Sequence, residues 1–413
     1  VFTAPGAEPF AYHDPWSASL DGRLKDLVAR SRRIAYYYDK PDTSTFRYRA
    51  FNVVEALANA PELDISASWF CRDDLCRVSA FIDRADVLVI CRARYAPPVA
   101  QLIGRARARN IPVLFDVDDL IFDPEYVHLI VETLDQDAGN DWTWDTYFAL
   151  TGRFGAVLRM CDGAITTNER LASCIRRYAP GIRVAIVPNF LNRAQQRVSS
   201  ALFAEKKLSR FARDECIHIG YFSGTPTHNR DFAVISGALG KLMDRDSRIR
   251  ARVVGFLDRR AGLERHQDRI EVFPLQDFMN LQRLISQVEI NVAPLQDNSF
   301  TNCKSELKYF EAAICGTITV ATPTFAFANA IADGCNGFLA NAHEWDEKLE
   351  SALAVVEDQD AYMAIAERAF RNAEEKYGWD RHAKAVASAV FDLAMQPIAG
   401  GRASEAVEPV VSV

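Results

Sequence analysis

Lys304 and Lys308 stand four residues apart in the segment 289–323, EINVAPLQDNSFTNCKSELKYFEAAICGTITVATP. An expected strand, Ile290–Ala293, ends at Pro294 and Leu295, and a polar loop, 296–304, leads to Ser305 as the expected N-cap. Leu307, Phe310, Ala313 and Ile314 mark one face of an expected helix over 305–315, and Gly316 stops it. Unpaired N–H groups at a helix start favour an anion. Two ammonium groups add to that preference, and a diphosphate suits the place. Glu306 and Glu311 offer carboxylates that accept from vicinal hydroxyls. The same pattern also fits a solvated helix face with ordinary i, i+4 pairing, and periodicity leaves both readings open.

A second cluster is VLFDVDDLIFD, 113–123. A buried strand there brings Asp116, Asp118 and Asp119 to its carboxyl end. These carboxylates could hold a metal, act as nucleophile and acid/base, orient an attacking hydroxyl, or simply cap the next turn. A third is DKPDTSTFRYR, 39–49, where Arg47 and Arg49 are alternate residues and cannot share a helix face. One is expected to reach toward a ligand and the other to pack on Tyr48 or the surface. Arg92 and Arg94 follow the strand-like VLVIC and are weaker candidates for an anionic group. Trp142, Trp144 and Tyr147, in an expected loop-to-helix stretch, read as a sugar-stacking surface or as packing. His128, His218, His266 and His343 show no metal spacing.

What must position these clusters is a long, ordinary globular chain. It has 413 residues, 49% hydrophobic and 25% charged, enough for two or three domains. Net charge is −7, which argues against a dedicated nucleic-acid binder. No apolar run reaches the roughly 18 residues of a membrane span. Nine Cys, an odd number without any CxxC, read as free thiols of a reducing compartment. The chain starts on Val, and no basic-plus-apolar leader is visible. The expected location is the cytoplasm, with peripheral contact at the inner membrane face left open.

Apolar runs of four to six residues alternate with helical segments, the pattern of parallel sheets covered on both faces. The expected organisation is an arm and helix at 1–32, a first α/β domain at 33–195, a polar linker at 196–214 and a second α/β domain at 215–376. A helix at 377–395 is expected to return to the first domain, and 396–413 to be a disordered tail. Ligands of open parallel sheets bind beyond the strands' carboxyl ends, so two facing halves place their chemistry in a cleft.

The order of strand, PL, loop, KSELKYFEAAICG and TVA resembles the donor-binding segment of family 4 glycosyltransferases of the GT-B fold. The likeness is greatest to the branch that builds bacterial surface polysaccharides, including O-antigen enzymes and rhamnosyltransferases. ITTNERLA, VAIVPNFLN, IGYFSGTPTHNRDF, ARVVGF and NGFLANAHEW agree in order, over about residues 33–395. The resemblance implies two Rossmann-like halves, the C-terminal one holding a nucleoside-diphosphate sugar. It implies Gly224 and Thr225 near the diphosphate or sugar, Phe273 to Leu275 beside the base, and Glu311, second carboxylate of the E-x7-E motif, on the ribose. Cys303 stands where the motif's first Glu belongs, so Glu306 or the Asn298–Thr301 loop must substitute. The basic residue usual in the first loop of that half is missing, with His228 nearest, and Lys304, Ser305 and Lys308 are left as phosphate ligands.

On the acceptor side the resemblance implies roles for Arg47, Arg49 and Asp116. Asp118 or Asp119 is then expected near the attacking hydroxyl and Lys304 at the leaving phosphate. The expected reaction is sugar transfer to a hydroxyl of a growing bacterial glycan, free or lipid-linked, with retention, no metal and no cofactor. A DxD metal site belongs to the single-domain GT-A enzymes instead. Two rivals remain: a Mg-dependent phosphohydrolase using Asp116 and Asp118, and a non-catalytic glycan-binding protein with a degenerate donor site.

Overall fold

A computed structural model describes residues 1–3, 6, 8–224, 229–255 and 263–395. Thr225, His228 and the tail 396–413, which carry expectations above, lie outside the described residues. The short apolar runs pair into two six-stranded sheets. The first contains β1 (Arg32–Tyr37), β2 (Ile65–Phe70), β3 (Val87–Cys91), β4 (Val113–Asp116), β5 (Gly163–Thr166) and β6 (Arg183–Ile186), in the order β2-β1-β3-β4-β5-β6. The second contains β7 (Ile217–Phe222), β8 (Ile249–Val254), β9 (Ile270–Phe273), β10 (Ile290–Ala293), β11 (Ile318–Ala321) and β12 (Phe338–Leu339), in the order β12-β11-β10-β7-β8-β9. Every pairing is parallel. Strands such as β3, β4, β10 and β11 are buried at every residue, because helices cover both sheet faces, and so they read as unbroken apolar runs.

Three local expectations are corrected. The helix expected over 305–315 is Leu307–Ala313, preceded by a 3-10 turn, Thr301–Cys303; its N-cap is Glu306, without a side-chain bond. Ser305 does not cap it, because its hydroxyl accepts from Asn189 Nδ2 at 3.0 Å. The aromatic stretch around Trp142 belongs wholly to a helix, Asp141–Arg159, whose N-cap Asn140 accepts from the Trp142 N–H. The segment after β1 opens as a π-helical turn, Arg47–Phe51, before the α-helix Asn52–Ala58. A wide turn of this kind re-aims side chains relative to an α-helix.

The two halves interlock. Phe300 and Cys303 of the C-terminal half are buried in the N-terminal core, while Tyr48 is buried in the C-terminal core. The connecting helix Arg193–Leu208 looks polar in sequence, yet it buries Leu202 and Phe203. Its Lys206 is enclosed and donates to the carbonyls of Cys315 and Gly316 at 3.0 and 2.9 Å. The helix Ala383–Met395 packs on the first sheet, with Val386, Val390 and Leu393 in that core. An arm ties both halves: Phe2 donates to Gln287 O at 2.9 Å, and Trp16 packs on Phe46.

Gly255, immediately after β8, takes a left-handed conformation (φ +96°), and a Cβ there would stand 1.9 Å from the Ser223 carbonyl oxygen. Both strain and clash fall beside the cleft. Gly255→Ala is expected to lower stability by about 2–4 kcal/mol, read as a fall in Tm; an unchanged Tm would contradict this packing.

Candidate active site

The carboxyl ends of β1, β4, β7, β8, β9 and β10 open onto one cavity of ≈ 450 Å³. The N-terminal half lines it with Asp42–Thr45, Arg47, Tyr48, Asp118 and Asp119. The C-terminal half contributes Phe222, Ser223 and Gly224 after β7, Leu275 and Gln276 after β9, and Lys304, Ser305, Lys308 and Glu311 after β10. Each loop is anchored by the strand before it, so six parallel strands fix the walls of one pocket.

Positive charge concentrates on one wall. Lys308 lies over the Tyr221 ring, 5.0 Å from its centroid, and its enclosed Nζ has no hydrogen-bond partner among the described residues. Burial brings this ammonium down to about 8, with Asp231 pulling the other way. Lys304 Nζ lies over the Phe300 ring at 4.6 Å and 3.6 Å from Asp119 Oδ2. An enclosed ammonium without acceptors is costly, and a ligand with anionic oxygens supplies what Lys308 lacks. The helix that follows has only seven residues, so the side chains carry most of the local charge.

Glu311 faces the same cavity and is gripped from the other half. Its Oε1 accepts from Arg47 Nη2 at 3.2 Å, from Gln195 Nε2 at 3.1 Å and from the Tyr48 hydroxyl. The Arg47 guanidinium stacks over Tyr48 (4.2 Å) and near Phe278 (5.0 Å). All three donors take one oxygen, leaving the other as the acceptor for a ligand. Sequence reasoning missed Tyr48 and Gln195 as site residues. Tyr48 reads as core, and Gln195 stands just ahead of the expected linker, in the first turn behind its N-cap Asn192.

The wide turn separates the two arginines as spacing predicts, but Arg49 goes neither to the surface nor to Tyr48. It is fully buried and binds Asp116 through two bonds of 2.7 and 2.9 Å. It also donates to Val187 O and Asn189 Oδ1. Arg49 and Asp116 therefore lie beneath the cavity rather than on it, each satisfied by the other. Asp118 and Asp119 do line it; Asp118 accepts from Arg92 Nη1 at 3.1 Å, and that guanidinium also reaches Thr45.

Five other expected donor residues are placed as follows. Gly224 and Leu275 line the cavity. Phe273 ends β9 under the Arg252 guanidinium, 5.3 Å from its ring. Asn298 braces the halves, donating to Thr133 Oγ1 at 3.0 Å, and does not line the cavity. Glu306 also turns away: its Oε1 accepts from the Tyr377 hydroxyl at 2.8 Å, and burial raises its carboxyl above the usual range. Cys303 faces Cys174 of the N-terminal half. Arg94, Trp142, Trp144 and Tyr147 lie outside the cavity lining, with Trp142 75% exposed on the outer helix. Among the described residues, a group spaced to hold a metal is Asp214, His218 and Glu289, at the amino end of β7 and away from the cavity.

Comparison with known proteins bears on this arrangement. Residues 217–358 match the family model described as glycosyl transferases group 1. No curated protein matches the chain in sequence. Among solved structures, HepE of Anabaena, in complex with UDP and glucose, is 12% identical with a TM-score of 0.56, over 87% of this chain and 99% of that one. Sucrose-phosphate synthase of Thermosynechococcus elongatus is 15% identical with a TM-score of 0.55, over 88% and 98%. TarM of S. aureus, crystallised as a variant with UDP among its ligands, is 11% identical with a TM-score of 0.50; the match covers 75% of this chain and 55% of TarM. At these identities the likeness is one of fold. Residues 217–358 thus resemble the glycosyl transferases group 1 model, and the whole chain shares the two-domain GT-B fold of these structures.

Proposed function

We propose that the protein transfers a sugar from a nucleoside-diphosphate sugar to a hydroxyl of a growing bacterial glycan, with retention and without a metal. The observation that carries this reading is the enclosed Lys308 ammonium, unpartnered among the described residues and beside Lys304, in a cavity whose walls come from both halves. The diphosphate would lie against these cations, whose charge opposes the negative charge that develops on the leaving group. The free oxygen of Glu311 would take the ribose hydroxyls, and the surface around Leu275 would border the base. Asp118 or Asp119 would orient the acceptor hydroxyl. Closure of the halves would keep water from the donor. UDP in the HepE and TarM structures supports a nucleoside diphosphate as the ligand class.

A phosphohydrolase acting through Asp116 is disfavoured, since both oxygens of Asp116 are held by Arg49. A thermal-shift screen of UDP, GDP, dTDP and CMP with their common sugars, followed by transfer assays with and without EDTA, tests the reading. A rise in Tm with one nucleoside diphosphate, and EDTA-resistant turnover, are expected. Phosphate release from simple phosphoesters that EDTA abolishes would overturn it. Lys304→Ala and Glu311→Ala should each lower transfer by about 10- to 100-fold, and wild-type rates in both would remove the donor site.

A further inference from the structure

Cys174 and Cys303 meet across the boundary between the halves. Cys174 sits on the helix Glu169–Tyr178 of the N-terminal half, and Cys303 closes the turn just before Lys304. Their sulfurs are 3.8 Å apart and both side chains are buried. The approach is enforced by its surroundings: Asn168 Nδ2 donates to the Cys303 carbonyl at 3.1 Å, and Phe300 is set into the same N-terminal core. Two thiols in contact need a small rotation and a short movement to reach the S–S bond length of about 2.05 Å.

We infer that Cys174 and Cys303 form a reversible disulfide that locks the two halves together at the mouth of the cavity. The oxidant class is a low-molecular-weight disulfide such as glutathione disulfide. With the halves parted, the Cys174 thiolate attacks one of its sulfurs, the S–S bond breaks, and one thiolate leaves. On closure the Cys303 thiolate attacks the Cys174 sulfur of the mixed disulfide and expels the second. The protein dithiol is oxidised, the small disulfide is reduced to two thiols, and the two protein protons end on those thiols. Excess thiol reverses the exchange.

Contact with Cys303 holds the Cys174 thiol below its usual range, the Arg170 guanidinium adding to this against burial, while Cys303 is pushed up by the same contact and by burial. When the halves part, the Arg170 guanidinium on the same helix stays beside Cys174, which makes Cys174 the attacking thiol. Cys303 precedes Lys304, so the bond would fix that ammonium against Asp119 and oppose the opening that substrate exchange requires. The cross-link itself does not depend on the ligand being a nucleotide sugar.

The test uses the full chain, incubated with glutathione disulfide, then denatured, alkylated with N-ethylmaleimide and mapped by mass spectrometry. A 174–303 cross-linked peptide is expected, together with a Tm raised by about 5–10 °C and restored by dithiothreitol. Cys174→Ser and, separately, Cys174→Ala should fold, keep the reduced enzyme's Tm within about 2 °C and lose the oxidative rise. A Cys76→Ser/Cys335→Ser variant, lacking the exposed thiols, should keep it. Alkylation or glutathionylation of both sulfurs, pairing with other cysteines, or a cross-link that leaves Tm unmoved would each overturn the lock.

Discussion

Lys308→Met is expected to weaken nucleoside-diphosphate binding by about 100- to 1,000-fold while leaving Tm unchanged or higher. The two signs are what distinguish a ligand-binding cation from a structural one. The Lys308 Nζ is enclosed and donates to no described residue, so its removal abandons no bond and relieves a desolvated charge. An anion, by contrast, loses its most enclosed partner. Lys304 is more exposed and already close to Asp119, so its loss is the milder one.

The same residue sets a pH signature. In the unliganded protein the Lys308 ammonium titrates at about 8, and a bound diphosphate would hold its proton on. Affinity should therefore fall as pH rises through that value, by about 30-fold between pH 7 and 9.5, and the Met variant should lose this dependence. For stability the sign is opposite. The folded value lies below that of the unfolded chain, so the enclosed ammonium costs stability below about pH 8, and the penalty lifts between there and the free-lysine value. Isothermal titration of the nucleotide and melting curves across this range read both effects.

Asp116→Ala is expected to destabilise the N-terminal half by about 3–5 kcal/mol, because it strands a buried guanidinium. Arg49 is fully enclosed, and its two bonds to Asp116 are the strongest of its contacts. The double replacement Arg49→Met/Asp116→Leu should be less damaging than Asp116→Ala alone, since it removes both charges together. Denaturant unfolding checks the order. If Asp116→Ala unfolds like the wild type but abolishes turnover, Asp116 belongs to the reaction and not to the scaffold.

The expected strand Ile290–Ala293 was legible because a parallel strand covered on both faces leaves no alternation to misread, and β10 runs over those same residues. The cavity-facing positions of Lys304, Lys308, Glu311, Asp118 and Asp119 follow from the rule that chemistry gathers at strand carboxyl ends. What sequence could not supply was pairing over distance. Asp116 shares a strand end with the cleft-facing carboxylates, and only its partner Arg49, 67 residues earlier, takes it out of the site. The π-helical turn that aims Arg49 inward has no periodic signature. Ser305 has the chemistry of an N-cap, but Asn189 of the other half claims its hydroxyl. Glu306 sits in the motif's neighbourhood and is drawn off by Tyr377. Lys308 looks like one of two lysines on a solvated face, and its enclosure depends on Tyr221, from a strand some 87 residues earlier, lying under its ammonium.

The most direct measurement is a crystal structure of the full chain soaked or grown with the nucleoside-diphosphate sugar that raises its Tm. The account predicts diphosphate oxygens within hydrogen-bond distance of Lys308 Nζ, ribose hydroxyls on Glu311 and the sugar directed at Asp118 and Asp119. A nucleotide bound elsewhere, with Lys308 still without an acceptor, would contradict it.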